Sequence, residues 1–184
     1  MTGPRTESET RVSRMVGRNV YFLREYRGFS RVQLVKKTGY SQLGFIEKGK
    51  KNGHGSLPSV SADQLVTFAK ELETTPQWLL TEHKNPIHFL PCDMGVFDFT
   101  TLCPDTKNFY ASVVGKKVRQ WREERRWTLD RLVDEMRARG ARIDKSGLAQ
   151  FERHYKNHGV SVDHFMIYVE IMETTPHKLL LRQS

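Results

Sequence analysis

Glu73-Thr74-Thr75-Pro76-Gln77-Trp78-Leu79-Leu80 and Glu173-Thr174-Thr175-Pro176-His177-Lys178-Leu179-Leu180 are one phrase written twice, about 100 residues apart. The features upstream of each copy recur in the same order. Val16-Gly17-Arg18 opens the first copy, and Val114-Gly115-Lys116 opens the second. A duplicated unit of about 65 residues points to two copies of one small module, too long and too few to form a solenoid. The spacing between copies slips from 98 to 105 and back to 100. The slips fall in the turn before the third helical stretch and in the loop after it, where insertions belong.

Residues 16–80 read as five short helices. Val16, Val20 and Leu23 share one face of a helix that runs to Tyr26. Arg27-Gly28-Phe29 breaks it. Ser30 then stands as the N-cap of a second helix, which carries Leu34-Val35 and stops near Thr38-Gly39. Leu43 and Ile46 mark a third helix that ends at Lys48-Gly49, with Gly39 at its cap position. Ser61 and Gln64 have capping-box spacing ahead of the stripe Leu65, Phe68, Ala69 and Leu72. Thr75-Pro76 opens the fifth helix, and Trp78, Leu79 and Leu80 pack it on the core.

Residues 114–181 follow the same script. Val114, Val118 and Trp121 form the first face, with Trp121 in the place of Leu23. Thr128 caps a longer second helix, Asp144 caps the third with Leu148 and Phe151 inward, and Ser161 precedes Phe165, Tyr168, Val169 and Met172. Residues 81–113 match neither copy. Ile87-His88-Phe89-Leu90 and Val96-Phe97-Asp98-Phe99 there are either short strands or apolar contacts that pin a linker. Residues 1–15 read as a flexible tail without the apolar stretch of a signal peptide.

Hydrophobic residues make up 38% of the 184 and charged residues 28%, a soluble globular balance. No run approaches the ~18 apolar residues of a membrane span, and two cysteines are too few for a disulfide framework. A cytoplasmic location is the expectation. The formal net charge is +9, and it is unevenly placed. Lys and Arg outnumber Asp and Glu by 10 to 5 over residues 16–80 and by 14 to 10 over 114–181, but trail by 2 to 4 over 81–113. Basic charge that rides on the repeated units suits a polyanion, either nucleic acid or an acidic membrane surface; the bland reading is a set of solvated lysines.

Both copies resemble the lambda-repressor-like, Cro-type (XRE) DNA-binding domains. The residues that carry the resemblance are Val16-Gly17, Leu23-Arg24, Ser30, Leu34-Val35, Gly39, Leu43, Ile46-Glu47, Gly49 and Leu65 through Leu80. In the second copy they are Val114-Gly115, Trp121-Arg122, Thr128, Leu132-Val133, Asp144, Leu148, Phe151-Glu152 and Phe165 through Leu180. The longer turn from Arg137 to Ile143 is similar to regulators of actinobacteria and their phages. The resemblance implies an all-α fold: two five-helix helix-turn-helix domains, at 16–80 and 114–181, joined by an irregular linker at 81–113. It implies a sequence-specific regulator of transcription, a repressor of the phage or mobile-element type, and not an enzyme.

A recognition helix buries one apolar face and offers the other to the major groove. The outward candidates are Tyr40, Ser41, Gln42, Phe45 and Lys48 in the first copy, and Lys145, Ser146, Gln150 and Arg153 in the second. Gln can pair with adenine, Lys and Arg with guanine, and apolar groups with thymine methyls. Tyr40 and Phe45 are also aromatics at helical spacing, which is a core pattern. Lys50, Lys51 and Lys156 follow the third helices and suit phosphates, as do Arg31 and, beside Asp130, Arg131. Glu47 and Glu152 read as structural acids that pair with a nearby base.

His83, His88, Cys92 and Cys103 are metal-ligand types without a paired short-loop spacing, so neither a metal nor a cofactor is expected. The stretch from Leu80 to Val114 can extend roughly 100 Å at ~3.3 Å per residue. Half-sites one turn apart need about 34 Å. One chain can therefore act as a monomeric pseudo-dimer on a non-palindromic duplex operator; a homodimer is the other arrangement. The competing class is a chain in which one copy binds DNA and the other serves dimerisation or an antitoxin-like protein partner. The first copy, with its short turn and aromatics, is the one expected to have changed.

Overall fold

The computed structural model describes residues 10–53, 58–83, 109–153 and 159–181. These form ten α-helices, with no strand among the described residues, so the described part of the chain is all-α. Two compact units divide it. The first holds α1 (Arg11–Tyr26), α2 (Arg31–Thr38), α3 (Leu43–Glu47), α4 (Ala62–Glu71) and α5 (Pro76–Leu79), except that Ser61–Asp63 groups with the second. The second holds α6 (Phe109–Glu124), α7 (Leu129–Ala138), α8 (Lys145–Glu152), α9 (Val162–Ile171) and α10 (Pro176–Leu180).

In the first unit α1 packs on α3 and α5, and α2 packs on α3. Its core is the expected set: Val16, Val20, Leu23, Leu34, Leu43, Ile46, Leu65, Phe68, Leu72 and Leu79 are all buried. A helix as short as α3 or α5 does not stand alone in water. Each fully buried Leu or Phe contributes about 1.5–3 kcal/mol, and that tertiary packing holds these pieces in place. Gly17 is needed for it, because a Cβ there would collide with the backbone carbonyl of Ile46. The second unit buries Val114, Val118, Leu132, Met136, Leu148, Phe165, Tyr168 and Leu179 in the same way, with α6 on α8 and α10 and with α7 on α8 and α9.

The caps follow the sequence closely. Ser30 and Gln33 form a full capping box at α2. Thr128 accepts from the Arg131 amide, Asp144 from Gly147, and Ser161 from His164. Thr75 and Thr175 cap α5 and α10, each followed by proline in the first turn. Glu73 and Glu173, which open the quoted phrase, share a left-handed backbone with φ of 46° and 49°.

Four expectations are corrected. First, the first unit begins before residue 16: α1 starts at Arg11, Thr10 and Ser13 are buried, and the Ser13 hydroxyl accepts from the Val60 amide at 3.1 Å. The inward positions one and two turns before Val16 are polar, so the apolar stripe fades before the helix does. Second, residues 109–113 belong to α6, with Tyr110 and Ala111 buried. Third, Gly39 closes α2 in a left-handed conformation (φ 68°) instead of capping α3, and α3 starts only at Leu43. Fourth, Trp121 is only half-buried. It lies edge-on to Trp127 at 5.1 Å under the Arg125 guanidinium, whereas Leu23 is fully buried. The two expected strand segments of the linker lie outside the described residues.

Candidate nucleic-acid interface

The third helix of each unit is tied to the first by one buried acid. Arg24 Nε donates to Glu47 Oε1 at 2.7 Å, and Arg24 Nη1 donates to the Phe29 carbonyl at 2.7 Å. Arg122 Nε donates to Glu152 Oε1 at 2.8 Å, its Nη2 to Oε2 at 2.6 Å, and its Nη1 to the Trp127 carbonyl at 3.0 Å. One guanidinium thus fixes α3 or α8 and the loop after the first helix together. Burial would lower the Arg24 pKa, but its bonds to Glu47 and Glu25 hold it above the ordinary value. Bonds to Glu152 raise Arg122 against the same opposing burial. Both acids are structural, as their position implied.

The α2–α3 surface is cationic. Residues 29–53 contain six Lys and Arg and a single acid, Glu47. The Glu47 side chain is 0% exposed and also accepts from Arg31 Nε at 2.8 Å. This stretch therefore shows no exposed carboxylate to solvent. Lys36, Lys48, Lys50 and Lys51 are exposed, and Lys37 reaches Glu71 on α4 at 3.1 Å. Arg31 stays partly exposed but is anchored inward by its Nε. Ser41 is exposed and Gln42 half-exposed, but both lie in the turn before α3. Phe45 projects from α3 with 40% of its surface open.

Tyr40 is a correction. It is buried, donates from its hydroxyl to the Ser59 carbonyl at 3.2 Å, and meets Phe68 edge-on at 5.6 Å. Its position just after the left-handed Gly39 turns the ring into the core, so it is no surface reader.

The α7–α8 surface is mixed. Residues 127–153 carry six Lys and Arg but five acids. Lys145 and Ser146 are exposed at the start of α8, Gln150 is half-exposed one turn on, and Arg153 is exposed at its end. Lys145 Nζ is held by Asp130 at 2.6 Å, with both side chains at least 60% exposed. Arg131 is exposed and lies over the Trp127 ring at 4.1 Å, a cation–π contact. Lys156 lies outside the described residues.

Sequence reasoning missed two residues here, Lys36 and Val32, and one contact, the grip of Asp130 on Lys145. The repeat itself held the signal for two of them, because Val32 and Asp130 occupy the same position in the first turn of α2 and α7. Elsewhere, His83 is buried with its ring stacked on Trp78 at 4.2 Å and its Nε2 2.9 Å from the Trp78 carbonyl. His88, Cys92 and Cys103 lie outside the described residues. An open charged cleft beside α6 and the end of α8 is lined by Lys116, Arg119, Glu123, Glu152 and Arg153. Among the described residues no helix is long and apolar enough to cross a membrane.

Comparison with family models, with curated proteins and with solved structures returns no match for this chain.

Proposed function

We propose that the chain binds double-stranded DNA in a sequence-specific manner and regulates transcription as a repressor. The two units then act as helix-turn-helix domains with α3 and α8 as unlike recognition helices. The observation that carries this reading is the α2–α3 surface: five bases at least partly free to face a ligand, and one acid, which is fully buried. Polyanion binding requires such a surface, and a short helix set on its apolar face by a buried ion pair is a means of presenting side chains to a groove. Lys36, Lys48, Lys50 and Lys51 contact phosphates, which positions the protein without reading sequence. Ser41, Gln42, Phe45, Ser146 and Gln150 face the bases, and Lys145 joins them once released from Asp130.

The mixed charge of α7–α8 favours a second reading for that unit. An exposed carboxylate in the first turn of α7 stands where a helix N-terminus would otherwise attract phosphate. In this reading the first unit docks on DNA, and the second adds specificity or holds a protein partner. This reverses the expectation from the turn lengths, because charge outweighs turn length in forming a complex with a polyanion. In the two-reader form the chain is a covalent pseudo-dimer suited to a non-palindromic site.

Selection of duplexes from a random pool by the purified chain tests the proposal. Enrichment of one site with two dissimilar halves is the expected result. Enrichment of a single half-site supports the one-reader form, and no enrichment refutes DNA recognition.

A further inference from the structure

The exposed large hydrophobic residues among the described residues are Tyr21, Tyr26, Val32 and Phe45, all in the first unit. At the same repeat positions the second unit has Arg119, Glu124, Asp130 and Gln150. Single exposed apolar residues are common. Here, however, one unit carries four of them and its duplicate has a charged or polar group at every matching position. Phe45 is the one on the outward face of α3, within the carboxylate-free cationic surface of residues 29–53.

We propose that Phe45 reads the 5-methyl group of a thymine in the half-site beneath α3; this rests on the DNA reading above. The ligand of this face must be polyanionic and must also offer an apolar group to a ring. Duplex DNA does both, because the thymine methyl stands in the major groove between two phosphate chains. RNA does not: uracil lacks the methyl, and the deep, narrow A-form groove excludes side chains. A second copy of the chain would set one cationic rim against another. Gln150, at the matching position of α8, suits the two hydrogen-bonding groups of adenine instead. The two units therefore ask for chemically different bases at equivalent points of their half-sites.

The test uses the full chain and the duplex it selects. Each thymine is replaced in turn by deoxyuridine, which removes the methyl and keeps the pairing, and affinity is read by fluorescence anisotropy. One or two positions in one half-site should lose about three- to fivefold, the effect expected of one buried methyl group. Phe45→Ala should weaken binding by a similar factor and abolish the uracil effect at those positions only. Phe45→Gln, whose polar side chain suits an exposed site, should also abolish it while the thermal unfolding midpoint stays near wild type. Uracil effects that are absent, or identical in wild type and both variants, overturn the proposal. So does unchanged DNA affinity in both variants, which would assign the ring to a protein partner. If no duplex is selected at all, the DNA reading itself fails and this inference falls with it.

Discussion

Glu47 on α3 and Glu152 on α8 are carboxylates whose whole role lies inside the fold. Each is buried, and each satisfies an arginine from the first helix of its unit, Arg24 or Arg122. Removing one partner of a buried pair leaves the other charge uncompensated, at a cost of about 3–5 kcal/mol. Glu152→Ala should therefore lower the stability of its unit by that order, measured by urea unfolding. Glu47→Ala should cost at least as much, since Arg31 loses its partner as well. Asp130→Asn should act in the opposite sense on function. It releases Lys145 and removes an exposed carboxylate from α7, so DNA affinity should rise by about threefold or more with stability little changed. An unchanged or weakened affinity would take α7 away from the DNA. At this scale the ion pairing of the acids and the exposure of Lys48, Lys50 and Lys51 were legible in the sequence. The burial of Tyr40 was not, because it depends on where the left-handed Gly39 sends the chain.

The helices were legible wherever an apolar stripe and a cap coincide. Ser30, Thr75, Thr128, Asp144, Ser161 and Thr175 all cap the helices that their neighbours suggested. Legibility failed at the first turns of α1 and α6. At the start of α1 the inward N-cap Thr10 and Ser13 are small and polar, so periodicity carried no signal. In α6 the apolar pair Tyr110-Ala111 was present but read as part of the linker. Gly17 sets the approach of α1 to α3, so Gly17→Ala should destabilise the first unit by about 1–3 kcal/mol or more, as overpacking does. Because α3 rests on that contact, DNA affinity should fall with it; circular dichroism melting alongside anisotropy would test this. Arg126 occupies the left-handed position that Gly28 fills in the first unit, with φ of 54° against 70°. Arg126→Gly should relieve about 1–2 kcal/mol of backbone strain and raise the unfolding midpoint.

Over the whole molecule the duplication has produced two units with one scaffold and two surfaces. The ion pair, the caps and the left-handed glutamates recur, while the outward residues of α3 and α8 differ at nearly every position. A covalent pair of unlike readers is free of the symmetry that identical subunits impose, and linkage makes the second binding event intramolecular. A footprint should accordingly show an asymmetric site occupied by one chain; a perfect palindrome holding two chains would count against the pseudo-dimer. The most direct test of DNA recognition is the salt dependence of affinity for the selected duplex beside a shuffled one. If Lys36, Lys48, Lys50 and Lys51 each contact a phosphate as proposed, the log–log slope should be about −3.6 or steeper, and the selected duplex should bind at least about a thousandfold tighter. A slope near zero, or equal affinity for both duplexes, would contradict it.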